Sequence, residues 1–147
     1  MSKPQRLLAT AHIDGASRGN PGHAGFGVLI AVDGVGEVYR RAGYLGETTN
    51  NQAEYHALLH CLAALEELGL SMGVVYSDSE LLVKQLSGEY RVKDQQLRPL
   101  CDEARARLAR LEGIRIQHLR REDNTAADAL ANIGIDWGVK NLKEAAG

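Results

Sequence analysis

The 147-residue sequence predicts one α/β domain, a mixed sheet of five strands flanked by helices. Three observations carry that prediction. Strand-like runs joined by turn signals open the chain, a helix with regularly spaced leucines follows, and two short apolar runs appear later, separated by helical stretches. A chain of this length buries a real core without staples. The whole of 1–147 is expected to form that domain, with the core between about residues 7 and 135 and a tail, 136–147, that shows no clear element.

The elements follow in order. Leu7 to Ile13 is an apolar run that brings Asp14 to a strand end, where a turn with Gly15, Gly19 and Gly22 replaces it. Ala24 to Val32 reads as the second strand, Asp33-Gly34 as a hairpin signal, and Glu37 to Tyr44 as the third strand. Thr48 to Glu54 then caps a helix whose Leu58, Leu62, Leu65 and Leu68 form one buried face and which Gly69 ends. Gly73 to Asp78 is a short buried strand running directly into helical Ser79–Leu86, so the strand-to-helix switch falls on Asp78. A polar link leads to a basic helix from about Gln95 to Leu111, with Pro99 in its first turn. Ile114 to Leu119 is the fifth strand and Asn124 begins the last helix.

Composition narrows the function. Net charge is −2, which argues against a protein that coats nucleic acid through bulk positive charge. The charge is unevenly placed: residues 89–121 hold nine Lys or Arg against five Asp or Glu, and the remainder eight against fourteen. Such a split suits an enzyme that grips a polyanion with one surface and gathers divalent cations with another. Cys61 and Cys101 form no CxxC pair and read as reduced thiols of a cytoplasmic protein. No run approaches the ~18 apolar residues of a membrane span, and the first residues lack an export signal.

Four acids stand at comparable places: Asp14 and Asp78 at strand ends, Glu54 in the first turns of a helix, Asp128 near the start of the last one. Each has a local explanation. Asp14-Gly15 could be a simple turn, Asn51 and Glu54 have capping-box spacing, Asp78 could cap a helix and Asp128 could complement a helix dipole. Against this, Glu54 lies four residues before Leu58 on a buried stripe, where an uncompensated carboxylate is costly. In an open sheet, moreover, ligands bind outside the carboxyl ends of the strands, where Asp14 and Asp78 arrive together. An all-carboxylate set without Cys-His spacing points to Mg²⁺ or Mn²⁺ in place of zinc. Two such ions can serve phosphodiester hydrolysis. The glycine turn has no Gly-Lys-Ser or Gly-Lys-Thr ending, which excludes a nucleotide-binding P-loop.

The stretches Asp14 to Gly22, Thr48 to Glu54, Tyr76 to Ser79 and Asn124 to Asp128 resemble type 1 ribonuclease H, the nuclease that cuts the RNA strand of RNA/DNA hybrids. The likeness spans about Leu8 to Asn132. It implies a ribonuclease H-like fold, with three antiparallel strands and then two parallel ones, and hydrolysis leaving 5′-phosphate and 3′-hydroxyl ends. It implies that Asp14, Glu54, Asp78 and Asp128 hold two Mg²⁺ ions, with Mn²⁺ as a substitute. It places the Gly15 and Ser17 backbone, Glu54 and Ser79 along the RNA strand, Asn20, Asn50 and Gln52 in the minor groove, and Thr49 at a DNA phosphate. His118 stands where the family often carries a histidine that assists proton movement or product release; a plain strand residue is its other reading.

The chain departs from many relatives in lacking a long basic protrusion between its middle helices, so it resembles a compact form. Arg91, Lys93, Arg98 and Arg105 are the candidate phosphate contacts in its place. The expected partner is an RNA/DNA hybrid, with no membrane and no obligate protein partner, acted on by a monomer. Two other readings compete: a same-fold metal-dependent nuclease acting on duplex RNA or DNA junctions, and a non-catalytic nucleic-acid-binding module.

Overall fold

A computed structural model describes residues 7–147. Strands β1 (Ala9–Gly19), β2 (Gly22–Val32) and β3 (Gly36–Thr48) form an antiparallel meander; helix α1 (Asn50–Glu67) leads to β4 (Met72–Ser77). Helices α2 (Glu80–Leu86) and α3 (Leu97–Arg110) lead to β5 (Gly113–His118), and α4 (Thr125–Ala146) closes the chain after a short 3₁₀ turn at Arg121–Asp123. The sheet order is β3-β2-β1-β4-β5, with β1 antiparallel to β2 and parallel to β4. This is the predicted mixed sheet, three antiparallel strands followed by two parallel.

Alternation decides which side of the sheet is dry. Ala11, Ile13, Val28, Ile30 and Val75 all face one side and are fully buried against Leu58, Leu62 and Leu65 of α1. Each of those leucines contributes roughly 1.5–3 kcal/mol by leaving water. Leu68, expected on the same stripe, is instead the C-cap of α1 and is 43% exposed, because the helix has already ended beyond the sheet.

On the other side α4 packs across β2, β3 and β1. It comes down to backbone contact. A Cβ on Gly27 would lie 2.4 Å from the Ala127 carbonyl oxygen, and one on Gly134 would lie 2.2 Å from that of Gly43. Bare glycines therefore set the depth of α4, and with it the position of the residues at its amino end.

Two expectations need correction. The carboxyl-terminal tail is not featureless: α4 continues to Ala146, with Gly138 buried against the Tyr44 ring and Asp136 ion-paired to Arg18 at 2.7 Å. The partners of this half of the helix lie more than ninety residues away, as in the Arg18 pair, so local spacing did not reveal it. Nor does β1 stop at Asp14. Its pairing with β4 ends at Ile13, but its pairing with β2 runs on to Gly19, so the glycine turn begins five residues later than expected.

Candidate active site

Asp14 enters the site because β1 outruns β4. Its neighbour Ile13 is the last residue paired to β4, so the Asp14 carboxylate emerges where the sheet opens, beside Asp78, the residue after Ser77 at the end of β4. Glu54 comes from α1. Its helix is capped by Thr49, whose hydroxyl accepts from the Gln52 N–H at 3.2 Å while the Gln52 side chain accepts from the Thr49 N–H. The capping box is thus Thr49–Gln52 rather than Asn51–Glu54, and Glu54 is released from cap duty. Ser79 similarly caps α2 by accepting from the Leu82 N–H at 3.2 Å, which leaves Asp78 free of that role.

Carboxylate oxygens of Asp14, Glu54 and Asp78 all lie within 4.8 Å of one another. Asp14 and Glu54 are buried, Asp78 is half-buried. The Gly15 N–H donates to Glu54 Oε1 at 3.0 Å, whereas Glu54 Oε2 is buried with no hydrogen-bond partner among the described residues. Gly15 is bare for a steric reason: a Cβ there would sit 2.2 Å from the Ala53 backbone, so this glycine lets β1 approach α1 closely. Its N–H was expected to serve a ligand; Glu54 takes it.

The electrostatics of this pocket are those of a cation site without compensation. Burial, and then the charges of Glu54 and Asp78, push the Asp14 carboxyl far above the ordinary carboxylate range. Burial and the Asp78 charge push Glu54 up as well, opposed by the Gly15 N–H and by Arg121. Asp128, in the first turn of α4, reaches Asp14 closely enough to contribute to that rise, although its own side chain is exposed. A bound divalent cation would remove the repulsion and give Glu54 Oε2 a partner, so the residues fit a hard metal ion.

Asn124 and Arg121 belong to this site and were not singled out in the sequence. Asn124, 1% exposed, makes no side-chain cap for α4. Its Nδ2 donates instead to the Ile13 carbonyl at 2.9 Å and to Asp78 Oδ2 at 3.3 Å, linking the ends of β1 and β4. An asparagine before a helix reads as an N-cap, and nothing local distinguishes one turned inward.

The chain matches the family described as Reverse transcriptase-like over residues 12–134. It is 43% identical to ribonuclease HI of Halobacterium salinarum over 127 residues, covering 86% of this chain and 63% of that protein. The crystal structure of RNase H1 from the same organism superposes with a TM-score of 0.84 at 39% identity, over 90% of this chain and 98% of that one. The chain belongs to the ribonuclease H family. A further ribonuclease H, LC11-RNase H1 in complex with an RNA/DNA hybrid, gives a TM-score of 0.84 at 35% identity, covering 89% of this chain and 99% of the other. The curated ribonuclease HI is longer, and this chain spans about 63% of its length.

Around the ribonuclease H acids, the remaining candidates are placed unevenly. Asn20 Oδ1 accepts from the Asn50 N–H at 3.1 Å, pinning the β1–β2 turn to the start of α1 and leaving the Asn20 amide hydrogens free. Gln52 is occupied at both ends, since its Nε2 also donates to Gln96 at 3.0 Å. The Ser17 hydroxyl donates to the Gly19 carbonyl. His118 ends β5 opposite Ser77, exposed, where it acts on the charge of Glu80; it is not part of the three-carboxylate group. Arg98 and Arg105 donate to the backbone carbonyls of Val92 and Gln85, so both hold the α2–α3 link in place.

No helix among the described residues is long and apolar enough to cross a membrane. Cys61 and Cys101 are free and buried, and burial pushes the Cys61 thiol up to about 12, leaving it unreactive at neutral pH.

Proposed function

We propose that this chain is an endoribonuclease that hydrolyses the RNA strand of RNA/DNA hybrids, leaving 5′-phosphate and 3′-hydroxyl ends, as one domain acting alone. The single observation that carries the reading is the convergence of Asp14, Glu54 and Asp78 within 4.8 Å at the open end of β1 and β4. Family membership and the hybrid-bound relative support the substrate class. The buried free thiols fit a reducing, cytoplasmic setting.

Asp14, Glu54, Asp78 and Asp128 are the residues that would hold divalent ions, two Mg²⁺ by preference and Mn²⁺ as the substitute, given an all-oxygen donor set. When bound, such a pair supplies an activated water on one side of the phosphodiester and charge neutralisation of the leaving oxygen on the other. The chain's own contribution is rigid placement. The Gly15 N–H fixes Glu54, and Asn124 fixes Asp78 relative to the end of β1. Arg121 places positive charge near Glu54, offsetting part of the pocket's negative charge.

Discrimination of RNA from DNA calls for groups that meet the 2′-hydroxyl. Ser79 suits this: its oxygen is taken by the Leu82 N–H, and its O–H hydrogen remains to donate. Ser17, near the end of β1, and Asn20 and Asn50, joined by the Asn50 N–H to Asn20 Oδ1 hydrogen bond, are the further groups we assign to the substrate. We assign Thr49 and Gln52 to holding that helix start in shape, a role their cap hydrogen bonds support, and His118 to product release from the rim.

The test offers labelled RNA/DNA hybrid, duplex RNA and duplex DNA to the wild type and to Asp14→Asn, with Mg²⁺, Mn²⁺ or a chelator. Only the hybrid is expected to be cut well, only with metal, and not by Asp14→Asn. Cutting of duplex RNA at the hybrid's rate would favour the broader nuclease reading, and metal-independent binding without cutting would leave a binding module.

A further inference from the structure

Helix α4 covers only part of its side of the sheet. Gly25 and Gly27 of β2 lie against it, but among the described residues no helix packs over those further along the same side. Register identifies the uncovered strip. His12 is paired with Leu29 on one side and Tyr76 on the other, and Tyr76 with Gln117; one row further from the site, Val74 is paired with Arg115. Paired residues project to the same side. Arg115 and Gln117 are exposed, and His12, Leu29, Val74 and Tyr76 remain half-buried, as expected of side chains lying on a sheet with no described element above them.

We propose that this strip is a binding surface for single-stranded nucleic acid adjoining the duplex. The inference extends the nuclease reading by naming what lies beside the hybrid, and its test does not depend on cleavage. Three features support this occupant. His12 and Tyr76 form a stacked pair with ring centroids 5.3 Å apart, which gives an aromatic surface on an open sheet, an arrangement on which unpaired bases stack. Arg115 makes no ion pair among the described residues and stands one row from Tyr76, positioned for a backbone phosphate. Among these paired positions Arg115 is the one Lys, Arg, Asp or Glu, and the strip runs on to Asp14 and Asp78 at the acidic pocket.

Chemistry separates this occupant from a protein partner. An apolar docking face would show a contiguous patch of large exposed apolar side chains. Here the exposed members are a guanidinium and an amide, and the partly covered ones include an imidazole and a phenol. A single strand leaving the hybrid would cross this row with its bases on the rings and its phosphates toward Arg115.

The experiment titrates the full chain, in chelator so that nothing is cut, into a labelled oligothymidylate of about twelve nucleotides and follows fluorescence anisotropy. Tyr76→Ala is expected to weaken binding about tenfold, while Tyr76→Phe, which keeps the ring, binds as wild type. Arg115→Gln is expected to weaken binding and lower the salt-dependence slope by about one. All three variants should cut a blunt RNA/DNA hybrid in Mg²⁺ at the wild-type rate. The proposal is overturned if the wild type does not bind the oligonucleotide, if Tyr76→Ala and Arg115→Gln bind it as wild type does, or if blunt-hybrid cutting falls in step with single-strand binding.

Discussion

The two sides of the sheet are held by different physics. On the α1 side, branched side chains of β1, β2 and β4 interlock with Leu58, Leu62 and Leu65, and stability comes from apolar area removed from water. On the α4 side there is little side chain to bury: glycines of β2 and β3 let the helix settle against the strands, backbone to backbone. The first arrangement fixes how stable the fold is. The second fixes where Asn124 and Asp128 stand, and so governs the geometry of the acidic pocket far more than its share of buried area suggests.

Substitutions that tax each side separately should separate the two roles. Leu62→Ala removes a fully buried side chain from the α1 side and is expected to cost about 2–5 kcal/mol in chemical unfolding, with the specific activity of the still-folded fraction unchanged. Gly27→Ala drives a Cβ into the Ala127 carbonyl on the α4 side. Its stability cost should be smaller, about 1–3 kcal/mol, but kcat should fall because the start of α4 is displaced. Equal loss of kcat in both variants would erase the distinction.

The pocket between the two sides adds a pH signature. Asp14 and Glu54 hold protons more tightly in the folded chain than in an unfolded one. The folded state therefore binds more protons from the ordinary carboxylate range upward through neutral pH. In metal-free protein, stability should be fully present below that range and decline as pH rises through it, by up to about 1.4 kcal/mol per pH unit for each group. Thermal unfolding in chelator at a series of pH values reads this, and Mg²⁺ should restore more stability at pH 8 than at pH 6 and release protons on binding. Trp137→Ser marks the small end of the series. Trp137 is 63% exposed, and its loss should change stability by no more than about 0.5 kcal/mol.

Much of this architecture could be read in the sequence because the signals were local. Leucine spacing announced α1, the strand-to-helix switch announced the place of Asp78, and the buried stripe through Leu58 flagged Glu54 as more than a cap. What escaped depended on distant partners. Asn124 looks like an N-cap until the Ile13 carbonyl, more than a hundred residues away, is seen to take its amide. The second half of α4 has weak local signals and is secured by Tyr44 and Arg18. Gly15 suggested an open backbone for a ligand, whereas its N–H is spent on Glu54.

The most direct test of the central claim is calorimetric titration of Mg²⁺ into the wild type and into Glu54→Gln, a substitution that keeps shape and removes charge. If Asp14, Glu54 and Asp78 form one cation site, the wild type binds Mg²⁺ with proton release, and Glu54→Gln loses that binding while being more stable than the wild type in chelator at pH 8. Wild-type Mg²⁺ binding by Glu54→Gln, with no gain in metal-free stability, would contradict it.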